Sequence, residues 1–174
     1  MTHSGKVILA FLAIILFGTP SHAQDQKITK LGTFGDWHAE SYLEKKGKKT
    51  CLMWTTPLKS RGKYRKRGEV YMYVTHRPWL KKTAVVSFVA GYKYKKDSEA
   101  RALVGGAKFV LFTDSDVAWA RNAKQDRALV GAMRRGRTMT LDGLSSRSTR
   151  TTDIYSLTGF SAAHDAISKA CGVK

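Results

Sequence analysis

The chain has 174 residues, with 31 Lys+Arg against 13 Asp+Glu, a formal net charge of +18 and two cysteines. That length suits one domain and excludes two full ones. Hydrophobic residues at 43% and aromatics at 10% suffice for a packed core, which excludes a disordered polycation; the charge bears on solubility and partners, not on fold.

The first feature along the chain is a leader. Lys6 precedes an unbroken apolar run, residues 7–17, followed by Gly18-Thr19-Pro20-Ser21-His22-Ala23. This is the layout of a secretory signal, with Ser21 and Ala23 at the small positions before the cut. The run is shorter than the about 20 residues a spanning helix needs, so an uncleaved anchor is the weaker reading. Cleavage after Ala23 removes one charge and leaves residues 24–174 at +17, with no second apolar segment of spanning length. The expected product is exported: periplasmic, envelope-associated or secreted. Within it, residues 24–34 read as a polar leader and 35–174 as the single domain.

Short strand-like runs follow, divided by turn signals. Residues 36–43 and 50–56 flank Lys45-Lys46-Gly47-Lys48, a hairpin with Gly at its turn. Residues 70–77 are rich in β-branched and aromatic types and stop at Pro78. Residues 84–90 alternate, with Ala84, Val86, Phe88 and Ala90 on one face. Arg101-Ala102-Leu103-Val104 is a strand ended by Gly105-Gly106, and residues 108–113 and 116–121 pair around Asp114-Ser115. Residues 138–144 and 152–158 supply two later strands. About eight short strands at this spacing predict a sandwich or barrel.

Two helices interrupt the strands. Over 122–135, Asn122 is a cap with Gln125 as its partner, and Arg134-Arg135-Gly136 ends the helix. Over 161–171, Phe160, His164, Ile167 and Cys171 fall on one face, which must turn inward. That aims Cys171 at the core, where Cys51 on an early strand can meet it. No CxxC or His-rich spacing suggests a metal. In an oxidising compartment two cysteines read as one disulfide, Cys51–Cys171, with two free buried thiols as the alternative.

The densest charge run is KSRGKYRKR, residues 59–67, placed between two strands and read as a loop. Lys59, Arg61, Lys63, Arg65, Lys66 and Arg67 form the candidate anion-binding surface; the alternative is a solvated loop. Its expected partners are an anionic envelope glycolipid, an acidic polysaccharide or an acidic protein, with peripheral membrane contact through the same charges. Nucleic acid would bind such charge by counterion release without specificity, so no physiological nucleic-acid partner is expected. Tyr64, Tyr71, Tyr73, Tyr92 and Tyr94 read as sheet-forming residues rather than base-stacking ones. Gly159-Phe160-Ser161-Ala162-Ala163 comes nearest to a G-x-S-x-G nucleophile turn, yet its last position is Ala and Ser161 reads as a helix cap. His38, His76 and His164 show no ligand spacing, and Asp114/Asp116 read as turn residues. Hence no catalytic residue, metal or cofactor is assigned.

Several segments carry a resemblance when taken in order. These are Gly35-Asp36-Trp37 with a Cys soon after, Arg67-Gly68-Glu69-Val70-Tyr71 and Val74-Thr75-His76-Arg77-Pro78; then Gly91-Tyr92, Leu111-Phe112-Thr113, Ala118-Trp119-Ala120 and Ala132-Met133-Arg134-Arg135-Gly136. The most specific is the stretch over residues 145–160, SSRSTRTTDIYSLTGF, followed by Ala162-Ala163 and Cys171. Together they resemble the invasion-associated locus B family over nearly the whole mature chain. The resemblance implies a periplasmic or envelope bacterial protein with an immunoglobulin-like antiparallel β-sandwich, a link to host-cell invasion for some members, and no catalytic residues. This chain departs from the family pattern at Ser148, where a Gly is expected at a turn needing positive φ. It also has no counterpart to the second cysteine motif of some relatives, which leaves Cys51–Cys171 as the pairing. The reading is therefore an exported, non-enzymatic binding protein; a serine hydrolase centred on Ser161 and a structural or chaperone-like periplasmic factor are the alternatives.

Overall fold

Alternation of inward and outward residues produces eleven strands in the computed structural model, which describes residues 27–173. They are β1 (Ile28–Phe34), β2 (Trp37–Leu43), β3 (Lys49–Thr55), β4 (Lys59–Gly62), β5 (Tyr71–Arg77), β6 (Lys82–Val89), β7 (Glu99–Val104), β8 (Ala107–Asp114), β9 (Val117–Trp119), β10 (Thr138–Leu144) and β11 (Arg150–Ser156). Helix α1 (Ala123–Arg135) lies between β9 and β10, and α2 (Phe160–Cys171) follows β11. The signal segment and the cut after Ala23 lie outside the described residues.

The strands join in one antiparallel ladder, in the order β1-β2-β3-β5-β6-β9-β8-β7-β10-β11-β4. The mainly β class, the antiparallel pairing and the two helices agree with expectation; the two layers are halves of a single continuous sheet. That sheet curls so that its far members meet. The Trp37 indole N–H on β2 donates to the Ser156 carbonyl on β11 at 3.1 Å, and the rings of Phe88 on β6 and Tyr155 on β11 lie 6.2 Å apart. Inside the curl, every second residue is buried: Ala84, Val86 and Phe88 on β6, Ala100, Ala102 and Val104 on β7. This single apolar face supplies the core, because each large side chain removed from water, such as Val86 or Phe88, contributes roughly 1.5–3 kcal/mol and each alanine methyl about 0.8 kcal/mol.

Helix α1 starts as its caps dictate. Asn122 Oδ1 accepts the Gln125 backbone N–H at 3.0 Å, while Gln125 Oε1 accepts the N–H of Arg121 at 2.7 Å. Leu129, Val130 and Met133 face the core, and buried Asp126 accepts the Val86 N–H at 2.9 Å. Helix α2 closes the curl over β1, β2, β3 and β5. Phe160 meets Trp37 edge-on at 5.0 Å, Ala163 and Ile167 are buried, and Cys171 is joined to Cys51 with a Cα–Cα distance of 6.0 Å. The disulfide expected from the two cysteines is formed.

Three sequence expectations change. Ser161 is not the cap of α2: the cap is Gly159 at φ +86°, where an added Cβ would sit 1.9 Å from the Phe34 carbonyl oxygen. Only Gly passes that carbonyl, so the helix begins a residue earlier and the Ser161 hydroxyl donates to the Arg134 carbonyl at 3.4 Å. Second, residues 28–34, within the segment read as a polar leader, form edge strand β1. Third, the run 59–67 is not all loop, because residues 59–62 pair with β11 as β4. Among the described residues no helix is long and apolar enough to cross a membrane.

The disulfide spans a sequence separation of 120. Replacing Cys51 and Cys171 with Ala should lower unfolding free energy by about 4–5 kcal/mol in the chain-entropy account. Guanidinium unfolding of the variant beside the oxidised chain measures this; equal midpoints would contradict it.

Candidate anion-binding cleft

A cleft of about 530 Å3 opens beside the end of β4, between the segment that follows it, the turn after β6 and the turn between β10 and β11. Beneath its floor lies a buried ion pair. Arg67 donates from Nη1 to Asp153 Oδ1 at 2.7 Å and from Nη2 to Asp153 Oδ2 at 2.6 Å, and from Nε to the Ala90 carbonyl at 2.7 Å. The two side chains are 4% and 2% exposed. Burial works against the guanidinium charge, but the Asp153 hydrogen bonds and charge hold its pKa above the ordinary Arg value. Tyr64 and Tyr92 place their rings 5.3 and 5.0 Å from the guanidinium carbon. The Tyr92 hydroxyl shares a hydrogen with Thr151 Oγ1 at 2.5 Å.

Glycine sets the width of this floor. Gly68 donates its N–H to the Gly91 carbonyl at 2.9 Å, and a Cβ on Gly91, at φ +69°, would lie 2.4 Å from the Gly68 oxygen. The two backbones touch, which draws the basic segment against the turn that carries Lys93. On the opposite wall the Ser145–Thr149 turn is closed by Ser145 N–H to the Thr149 carbonyl at 2.9 Å and Thr149 N–H to Ser145 Oγ at 3.1 Å. Ser148 sits in this turn at φ +59°, the left-handed conformation for which Gly was expected.

The six candidate anion-binding residues separate into three groups. Lys63, Arg65 and Lys66 are exposed and line the cleft. Arg67 is committed to Asp153 and turns inward. Lys59 and Arg61 lie on β4 opposite Ile154 and Thr152, on the other face of that edge strand from Asp153. Two cations missing from the candidate set, Lys93 and Arg147, complete the wall, and among the described residues no carboxylate lines it. Asp153 left a readable signal: it shares strand parity with Tyr155, and a charge on an inward face requires a partner. Arg147 left none, since only the fold brings residue 147 beside residue 65.

A second buried polar cluster lies under α2. His76, fully buried on β5, accepts the Ala84 N–H at Nδ1 (2.9 Å) and has Nε2 3.2 Å from Ser168 Oγ; its ring lies 5.4 Å from that of His164. Arg134 donates to His164 Nδ1 at 3.0 Å and to Asp165 at 2.8 Å. Burial first, and the neighbouring His164 second, push the His76 pKa down to about 4. Ser161 makes its hydrogen bond to the Arg134 carbonyl, and none to His164. Among the described residues no three His, Cys, Asp or Glu side chains gather to hold a metal ion.

The model of one protein family, described as Invasion associated locus B (IalB) protein, matches residues 37–168. No curated protein and no solved structure matches the chain.

Replacing Asp153 with Ala leaves the Arg67 charge buried and unpaired, and should destabilise the fold by about 3–5 kcal/mol in chemical denaturation. A loss under about 1 kcal/mol would show that the pair is not buried in solution. The His76 pair carries a pH dependence. In the unfolded chain His76 takes up a proton near 6.5, whereas in the folded chain it does so only near 4. Stability is therefore complete above the unfolded value and falls as pH drops toward the folded one, by about 3 kcal/mol. Denaturation midpoints of wild type and His76→Gln, followed from neutral to acid pH, should differ by this slope; parallel curves would contradict it.

Proposed function

The chain belongs to the invasion associated locus B family, and we propose that it is an exported, non-enzymatic envelope protein that binds anionic groups in its basic cleft. One observation carries this reading: Lys63, Arg65, Lys66, Lys93 and Arg147 line one concavity whose wall, among the described residues, holds no carboxylate. The Arg67–Asp153 pair beneath the floor is internally neutralised, so these five free cations set the sign of the site. Cations held on a shared concave wall raise the local concentration of anions and reinforce one another on a single bound charge. Hydroxyls of Ser145, Ser146, Thr149 and Thr151 in the same lining supply neutral donors.

A concavity suits a compact charged group. The phosphate or carboxylate of an envelope glycolipid or polysaccharide fits it better than an acidic protein, which needs a broad interface of about 800 Å2 on each side. The signal-like layout of the leader and the Cys51–Cys171 disulfide support localisation to the periplasm or the outer envelope. Attachment to anionic envelope groups is the means by which such a protein supports envelope integrity or contact with a host cell.

Charge reversal tests the cleft. Purified lipopolysaccharide and phosphatidylglycerol vesicles should each retain the wild-type chain at low salt and release it as salt rises. Lys63→Glu, Arg65→Glu and Lys66→Glu combined should weaken retention roughly tenfold or more, because the cleft's sign is changed. Charge reversal at Lys59 and Arg61, which point away from the cleft, should have a smaller effect. Equal retention by both variants and wild type would remove the cleft from the function.

A further inference from the structure

The face of the sheet turned away from the core holds a second surface of opposite design. Directly opposed residues in an antiparallel ladder project on the same side. Across β2, β3, β5, β6, β9 and β8, His38 opposes Trp54, Trp54 opposes Tyr73, Tyr73 opposes Ser87, Ser87 opposes Trp119, and Trp119 opposes Phe112. Their chain neighbours Ala39, Met53, Val74, Val86, Ala118 and Leu111 are buried, so this row faces outward. His38 stacks on Trp54 at 4.3 Å and Phe112 on Trp119 at 5.4 Å, and Tyr71 lies 5.7 Å from both Trp54 and Tyr73. With strands about 4.8 Å apart, the row is roughly 24 Å long.

One end of the row drops into a groove of about 860 Å3, where Phe112 and Trp119 face the Trp79-Leu80 turn and the first turn of α1. The charges around the row are distinctive. All four glutamates of the chain border it: Glu40 on β2, Glu44 in the groove lining, Glu69 accepting the Tyr71 hydroxyl, and Glu99 opposite Phe112. Arg77 pairs with Glu44 at 3.3 Å and Arg121 pairs with Glu99, and Glu40 and Glu69 border the middle of the row; the groove at its end also carries Lys81, Lys82 and Arg127 beside Asp114 and Asp126. A polyanion laid along the row meets Glu40 and Glu69 beside the rings, whereas the charged lining of the cleft is basic throughout.

Shape selects among neutral partners. Counting the flanking outward residues, Tyr71 on one side and Thr75 on the other, the strip is about 14 Å across, or roughly 340 Å2. A stable protein interface covers about 800 Å2 per partner, so a second copy or a globular partner is poorly served. A narrow row of ring faces with carboxylates and hydroxyls at its edges fits a linear molecule that is apolar on its faces and hydrogen-bonding along its rim. Sugar rings have that construction: C–H groups on the face, hydroxyls at the edge. We propose that the row from His38 to Phe112 is a docking strip for an uncharged, extended oligosaccharide whose end seats in the groove beside Trp119. Rings lie on Trp54, Tyr73 and Trp119, and Glu40, Glu69 and the tyrosine hydroxyls take hydrogen bonds from the sugar.

The strip stands independently of the anionic reading of the cleft, and the test keeps them apart. Cellohexaose and chitohexaose, both uncharged, are titrated calorimetrically into the full chain. At least one should bind, with an affinity insensitive to salt. Trp54→Ala and Trp119→Ala should each weaken binding about tenfold or more, and Trp54→Phe, which keeps a ring, should stay within about threefold. Near-UV circular dichroism establishes that each variant is folded, and the triple charge reversal at Lys63, Arg65 and Lys66 should leave hexasaccharide affinity unchanged. Absence of binding by both hexasaccharides, or unaltered binding in both alanine variants, overturns the proposal. A dimer seen in sedimentation and abolished by Trp54→Ala would assign the face to a second copy and overturn it as well.

Discussion

The Arg67–Asp153 pair constrains more of this molecule than any other contact. It removes two opposite charges from water, which proteins tolerate only where geometry and further hydrogen bonds compensate both ions. Here both guanidinium prongs go to the carboxylate and Nε goes to the Ala90 carbonyl. Asp153 is on β11, Ala90 directly follows β6, and Arg67 belongs to the connection from β4 to β5. One side chain therefore fastens the two halves of the curled sheet to each other. The same fastening gives the basic segment its position: residues 63–66 are held between a sheet strand and a buried anchor, so the neighbouring cations converge on one cleft.

The fold was readable where a side-chain rule decided the outcome. The alternation on β6, the Asn122–Gln125 cap and the inward face of α2 follow from residue type and spacing, and the disulfide followed from that face. The edge strands β1 and β4 were not readable for a common reason. Both are held by backbone pairing to a neighbour while most of their side chains stay in water, so neither shows a buried stripe. Lys59 and Arg61 are in addition the residue types that protect an exposed edge from pairing with other chains. The start of α2 was hidden in another way: Gly159 is dictated by a carbonyl over a hundred residues earlier in the chain, and no local pattern reports that approach. The pentapeptide Arg-Ala-Leu-Val-Gly shows the limit directly, being strand and turn at 101–105 and helix at 127–131. Caps and turn residues outside the pentapeptide choose between them.

For the cleft, composition identified the basic segment but not the division of labour within it. Six adjacent cations look equivalent in a sequence; the fold separates them into an anchor, a lining and an edge. The net charge of +18 likewise conceals an uneven surface. Cations converge on one cleft, while the four glutamates border a row of outward rings, Trp54, Tyr73, Trp119 and Phe112, on the far face of the sheet. The two surfaces differ in what a ligand would have to offer them, charge at one and flat apolar faces at the other.

The covalent link between Cys51 and Cys171 has a consequence for durability. The loop it closes holds everything from β4 to α2, including the cleft and its anchor. A protease that severs any exposed turn in that span produces a nick and no free fragment, because both pieces stay attached through sulfur and remain paired in the same ladder. Wear of this kind is invisible in size until the bond is reduced. The cleft, its anchor and the outward face of the sheet therefore stay assembled through a nick that would let an unlinked chain come apart.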